Sequence, residues 1–88
     1  MISAKEEFII RKLARRYRAG RILLFGSSLS KQSARDIDLA VEGLPAEKFF
    51  RFYGDLLFNL PKPVDLIDLS YDSKFTRLVR QEGLTIYG

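Results

Sequence analysis

Asp36, Asp38 and Asp65 are the residues of this chain whose types and spacing suggest chemistry. Asp36 and Asp38 stand two apart in "DIDLAV", within a run that alternates apolar and polar like a strand. Side chains two apart on a strand point the same way, so both carboxylates project from one face. Left alone, each raises the other's pKa. A hard divalent cation removes the repulsion, and Mg²⁺ suits one or two carboxylates completed by phosphate oxygens. Asp65, inside the later apolar run "VDLIDL", supplies a third carboxylate. The three together suit a two-ion site serving in-line phosphoryl chemistry. Asp68 falls on the opposite strand face from Asp65 and does not join the set.

Just upstream, "FGSS" breaks a buried-looking run. Gly26 lets backbone approach a ligand closely. Ser27 and Ser28 add hydroxyls and N–H groups, and successive N–H groups at a turn cradle phosphate. A nucleoside triphosphate carried with Mg²⁺ satisfies both halves at once. No Gly-Lys-Ser/Thr follows at Walker spacing, so this is a different loop. Lys31 and Arg35 are the nearby cations that can neutralise phosphate, and Lys31 joins Gly26, Ser27 and Ser28 as a candidate nucleotide-binding residue.

These residues need elements to hold them. Ser3 and Glu6 form a capping-box pattern, followed by Phe8, Ile9, Leu13, Ala14 and Tyr17 at helical spacing up to Gly20. "RILLF", 21–25, is apolar on both faces and predicts a central strand. "DIDLAVE", 36–42, predicts a second strand. After Gly43 and Pro45, the residues Phe49, Phe52, Tyr53, Leu56, Leu57 and Leu60 make an apolar helical stripe ended by "PKP". "VDLIDL" predicts a third strand. A short helix over 72–81, with Phe75, Leu78 and Val79 inward, leads to Gly83 and a last strand "LTIY". The order α-β-β-α-β-α-β predicts an α/β two-layer sandwich: a mixed sheet of three or four strands with helices on one face. Tyr17, Tyr53 and Tyr87 are expected at the core edge. Phe58 falls opposite the stripe and, with Phe50, marks a partner or homo-oligomer surface.

Composition narrows the chemistry. There is no Cys and no His among 88 residues, which excludes thiolate metal sites, disulfides and imidazole bases. Carboxylates, hydroxyls, Lys, Arg and backbone amides remain. No apolar stretch approaches a membrane span, and "MISAKEEF" opens a charged amphipathic pattern, so a cytoplasmic protein is expected. The length predicts one domain, 1–88. The net charge of +4 is uneven: residues 1–35 hold nine Lys and Arg against two Glu. That basic half, with "RKLARRYRAGR", attracts polyanions or simply solvates a helix face.

In order and context, "FGSS…DIDLAV…VDLIDL" resembles the DNA polymerase beta-like nucleotidyltransferases in their minimal (MNT) form. Those carry Gly-Ser, then Asp-x-Asp, then a third Asp on a later strand. The tail "TRLVRQEGLTIYG" is also similar to the end of minimal members, so the resemblance spans nearly the whole chain. It implies that Gly26 and Ser27 contact the triphosphate and that Asp36 and Asp38 ligate two Mg²⁺ ions. Asp65 would hold one ion and help deprotonate the attacking hydroxyl. It implies ATP or another NTP as substrate and a HEPN-domain protein as partner, with AMP transferred to a hydroxyl of that partner in an antitoxin role. Two features depart from the pattern: only eight residues, Ser28 to Arg35, precede Asp36, and no basic residue directly follows Gly-Ser. The short interval suits a second reading, a non-catalytic module or antitoxin that binds its partner sterically. The three acids favour the enzyme over that module, since a pure binder has no need of them. A third reading, nucleic-acid binding through the basic helix, predicts salt-sensitive binding to DNA or RNA; nucleic acid is not the expected partner.

Overall fold

The computed structural model describes residues 2–29 and 35–88. Helix α1 spans Ala4–Arg16, and Ser3 and Glu6 close the expected capping box at its start. The box satisfies two N–H groups that no helical carbonyl can reach. Strand β1 (Arg21–Leu24) leads into a single 3₁₀ turn, Gly26–Leu29. Strand β2 is Ile37–Glu42, helix α2 Ala46–Asn59, strand β3 Val64–Asp68, helix α3 Lys74–Glu82 and strand β4 Leu84–Tyr87. The second strand therefore starts one residue later than its alternation suggests, and Asp36 lies in a bend before it.

The four strands lie in the order β3-β2-β1-β4. β1 pairs antiparallel with β2 and β4, whereas β2 and β3 are parallel, joined through α2. The mixed sheet matches the sequence expectation. The placement of the helices does not match it fully. Ile22, Leu24, Ile37, Leu39 and Val41 form one sheet face, which packs against Ile10, Leu13 and Ala14 of α1 and Phe52 and Leu56 of α2. Leu23 and Ala40 face the other way and pack with Leu69, just past β3, and with Val79 of α3. Helices thus cover both faces, α1 and α2 one and α3 the other. The physical reason lies in β1: a strand apolar on both sides needs cover on both sides.

Within α3, Thr76 and Val79 are buried, while Phe75 and Leu78 are about half exposed instead of inward. Leu57 of α2 is likewise exposed, whereas Phe50 and Phe58 stand out in solvent as their phase demands. Tyr17, Tyr53 and Tyr87 sit at the core edge; the Tyr17 hydroxyl donates to Asp55 and the Tyr53 hydroxyl to the Val64 carbonyl. Among the described residues, no helix is long and apolar enough to cross a membrane.

Candidate active site

The site gathers at the sheet end where β1 leaves the sheet and β2 and β3 enter it. Asp38 and Asp65 are register partners in the parallel β2–β3 pair. Neighbouring strands lie about 4.8 Å apart, and partners in register project from the same face. That face is the one α3 partly covers, since Asp38 alternates with Leu39 and shares its side with Ala40. Asp36 is exposed two residues upstream.

The 3₁₀ turn is tied to β2 by a buried hydroxyl. Ser28 accepts from the Asp38 N–H at 3.0 Å and donates to the Asp36 carbonyl at 3.2 Å. Its side chain is only 1% exposed. Ser28 was expected to bind nucleotide, but its hydroxyl is committed to strand backbone, so it positions the loop against the acids. Ser27 is exposed and its hydroxyl donates to Asp38 Oδ2 at 3.4 Å. Gly26 has φ +63°, and a Cβ there would lie 2.7 Å from Asp38 Oδ2. The glycine is required twice over: by its left-handed backbone and by the carboxylate it abuts. Lys31 lies outside the described residues, and Arg35 is exposed.

Electrostatics single out Asp38. Partial burial pushes its carboxyl above the usual carboxylate range, the Asp65 charge pushes it further, and Asp36 adds a smaller push; hydrogen bonds from Ser27 oppose them. Glu42, on the same face of β2, moves the opposite way because the Arg80 guanidinium donates to it. One strand face thus carries an acid satisfied by a cation at one end and an acid pressed by other acids at the other.

Among the described residues, no three acidic side chains converge tightly enough to hold a metal by themselves. Asp36, Asp38 and Asp65 share one end of the sheet without forming a closed cage. The donors fit Mg²⁺ nonetheless: all are hard oxygens, and Mg²⁺ keeps several positions for water and substrate phosphate. Beside Gly26, a cleft opens between the 3₁₀ turn and α3, walled by Phe25, Leu29, Phe75 and Leu78. Sequence reasoning missed this cleft because it turned Phe75 and Leu78 inward; the signal present was the i, i+3, i+7 spacing of Phe75, Leu78 and Glu82.

Fold and site together define a nucleotidyltransferase-type centre, and comparison with solved structures is specific. No family model and no curated protein sequence matches the chain. Solved structures do, among them the following three. A toxin–antitoxin MntA–HepT structure is 28% identical over 98% of this chain and 73% of that one, with a TM-score of 0.74. The toxin–antitoxin with AMP-PNP is 32% identical over 93% and 73%, TM-score 0.75. A tri-AMPylated Shewanella oneidensis HEPN toxin in complex with MNT antitoxin is 30% identical over 96% and 71%, TM-score 0.73. The chain belongs to the minimal nucleotidyltransferases, the MNT family to which MntA belongs.

Proposed function

We propose that this protein is a Mg²⁺-dependent minimal nucleotidyltransferase that transfers AMP from ATP to a hydroxyl of a HEPN-domain partner, as the antitoxin of the pair. The observation that carries the reading is the register pairing of Asp38 with Asp65 directly beside Gly26. The similar structures support the partner and the nucleotide, since they comprise a HEPN toxin complex, an AMP-PNP complex and an AMPylated toxin.

Gly26 and Ser27 hold the triphosphate through backbone and hydroxyl donors. The partner's hydroxyl oxygen attacks the α-phosphorus, a P–O bond forms, and the bond to the β-phosphate bridging oxygen breaks. Pyrophosphate leaves with that electron pair, and the hydroxyl proton passes to the Asp65 carboxylate. Asp36, Asp38 and Asp65 would hold Mg²⁺, which when bound supplies charge neutralisation of the phosphate oxygens. Asp38, with its raised affinity for protons, gains most from a cation because it lacks a basic partner among the described residues.

The test is AMP incorporation into the HEPN partner, read by intact mass with MgATP present. Asp65→Asn keeps the shape of the side chain but loses its charge and basicity. It should leave MgATP affinity nearly intact and slow transfer roughly 10²–10⁴-fold, the usual worth of a positioned base. Full incorporation by the variant removes Asp65 from the mechanism. No incorporation by wild type, with partner neutralisation intact, favours the steric antitoxin instead.

A further inference from the structure

Helix α1 turns Ile10, Leu13 and Ala14 onto the sheet and leaves Phe8, Arg11, Lys12 and Arg15 exposed on its outer side. These four stand at i, i+3, i+4 and i+7, the spacing that places side chains on one helical face. They border a surface groove of about 260 Å³, which the Phe8 ring, 66% exposed, shares with the three cations. Arg11 is tied to Glu7 and to the Ile86 carbonyl. Among the described residues, Lys12, Arg15, Arg16 and Arg18 form no ion pair. The helix dipole rewards Arg15 and Arg16 in the last turn, but it gives no reason for Lys12 or for an aromatic ring in solvent two turns before Arg15. Arg18 adds a backbone outlier. It takes φ +59° just past the helix, in the left-handed region where glycine is usual, so a cation is kept there against the backbone's preference.

We propose that this outer face of α1 is a binding surface for single-stranded nucleic acid, separate from the transfer centre. In the sequence, the basic run and the three acids compete to explain one function. The fold separates them: Asp38 and Asp65 lie on the sheet face that α3 partly covers, and α1 packs on the other. A polyanion outside α1 has the helix and the sheet between it and those carboxylates. A helix is about 10 Å across, more than the Debye length of about 8 Å at physiological salt, so their repulsion is screened. Guanidinium forks match phosphate oxygens and stay charged, so an arginine-rich face suits a phosphodiester backbone. The exposed Phe8 ring distinguishes among polyanions. Bases of a single strand have free faces that stack on an aromatic ring, whereas a duplex keeps its bases stacked inside and a carboxylate-rich protein surface needs cations alone. From Phe8 to Arg15 the helix rises about 10 Å, at roughly 1.5 Å per residue, so the face spans a few nucleotides.

Fluorescence anisotropy of a labelled, unstructured RNA of about 12 nucleotides tests this with the full chain in chelator, so that no metal at the acids holds phosphate. Wild type should bind with a slope of log K against log salt of about −2 to −3, since each of three or four phosphate contacts contributes roughly −0.7. Lys12→Gln with Arg15→Gln should weaken binding and flatten that slope by about 1.4. Phe8→Ala should weaken binding roughly 5- to 150-fold, the usual worth of one base–aromatic stack, and leave the slope unchanged. Lys48→Gln with Lys74→Gln removes the same charge elsewhere and should leave affinity and slope nearly as in wild type. Phe8, Lys12 and Arg15 are exposed, so these variants should keep the wild-type Tm, and their binding losses then report on the surface. No RNA binding by wild type at low salt overturns the proposal, also where the α1 charge variant weakens the complex with the HEPN partner, which would make α1 a protein-docking face. Equal losses from the two charge pairs overturn it, because net charge alone would then be responsible. So does polyglutamate binding as tight as RNA, or unaltered RNA affinity in Phe8→Ala, since no base would then rest on the ring.

Discussion

At Gly26 a single missing methyl group links backbone conformation to the acid beside it. The left-handed φ of +63° costs an alanine about 1–2 kcal/mol, or roughly 4–16 °C in Tm for a chain of this size. Gly43, at φ +75°, has a comparable backbone but lies against Gly20, away from the acids. Gly26→Ala and Gly43→Ala should therefore lose similar stability in thermal unfolding. Only Gly26→Ala displaces the Asp38 carboxylate, so only it should lose MgATP binding in calorimetry; equal binding losses would disconnect the turn from the acids. Asp38 gives a second expectation, in pH. Its folded carboxyl binds a proton more tightly than in the unfolded chain, through burial first and the Asp65 charge second. The stability this group contributes is complete in acid and is lost as pH rises through its raised folded pKa. In chelator, Asp38→Asn escapes that loss, so its Tm should exceed wild type at neutral pH and converge on it in acid. Addition of MgATP should reverse the order, because wild type alone then gains the ligand's stabilisation. Parallel Tm curves across pH would mean the carboxylate is not under the pressure described.

Among the elements, α2 shows how one helix divides packing from surface. Phe52 is fully buried and meets Tyr17 edge-on, with ring centroids 5.4 Å apart. Phe58 is 88% exposed. Phe52→Ala should cost about 3–5 kcal/mol, much of the 5–15 kcal/mol that holds a typical domain, and denaturant unfolding should show a chain near its folding limit. Phe58→Ala should leave the midpoint unchanged; a large loss there would mean that the α2 phase is wrong. The third helix is held differently. Ser73 and Thr76 cap its start, Arg80 donates to Glu42 and to the Leu69 carbonyl, and Val79 alone of its large apolar residues is buried. Such a helix is fixed by polar ties at its ends, which leaves Phe75 and Leu78 free to line a cleft.

For the whole molecule, the sheet separates two electrostatic regions. Helix α1, which carries most of the basic run, packs on the sheet face it shares with α2, while Asp38 and Asp65 lie on the α3 side. Arg11 is further tied to Glu7 and to the Ile86 carbonyl. The basic run that suggested a polyanion partner is therefore not the cation source for phosphate at Gly26. Under the proposed function that task would fall to the donors of the turn and to the metal the acids would hold. The described chain measures only 19 Å through its thinnest dimension, and the cleft beside Gly26 lies at its surface.

The sequence by itself determined the strands, the sheet's mixed character and the identity of the acids. Strict alternation in "DIDLAVE" and the Gly-Ser break are local patterns whose physics is local: period-two side chains and a backbone only glycine tolerates. The capping box at Ser3 was legible for the same reason. What the tertiary structure alone decided is which face each element serves. Helical spacing cannot say which side of a sheet a helix will take, so α3 crossed to the second face and turned Thr76 inward in place of Phe75 and Leu78. Nor can spacing say how a hydroxyl will be spent: Ser28 resembles a phosphate ligand in sequence, yet it is buried against the backbone of Asp36 and Asp38, eight and ten residues later. The same holds for the two acids of β2. Glu42 and Asp38 occupy equivalent alternating positions, and only the approach of Arg80 to one and Asp65 to the other lowers the pKa of the first and helps raise that of the second. Through-space charge is set by neighbours distant in sequence, and those neighbours exist only once the chain has folded.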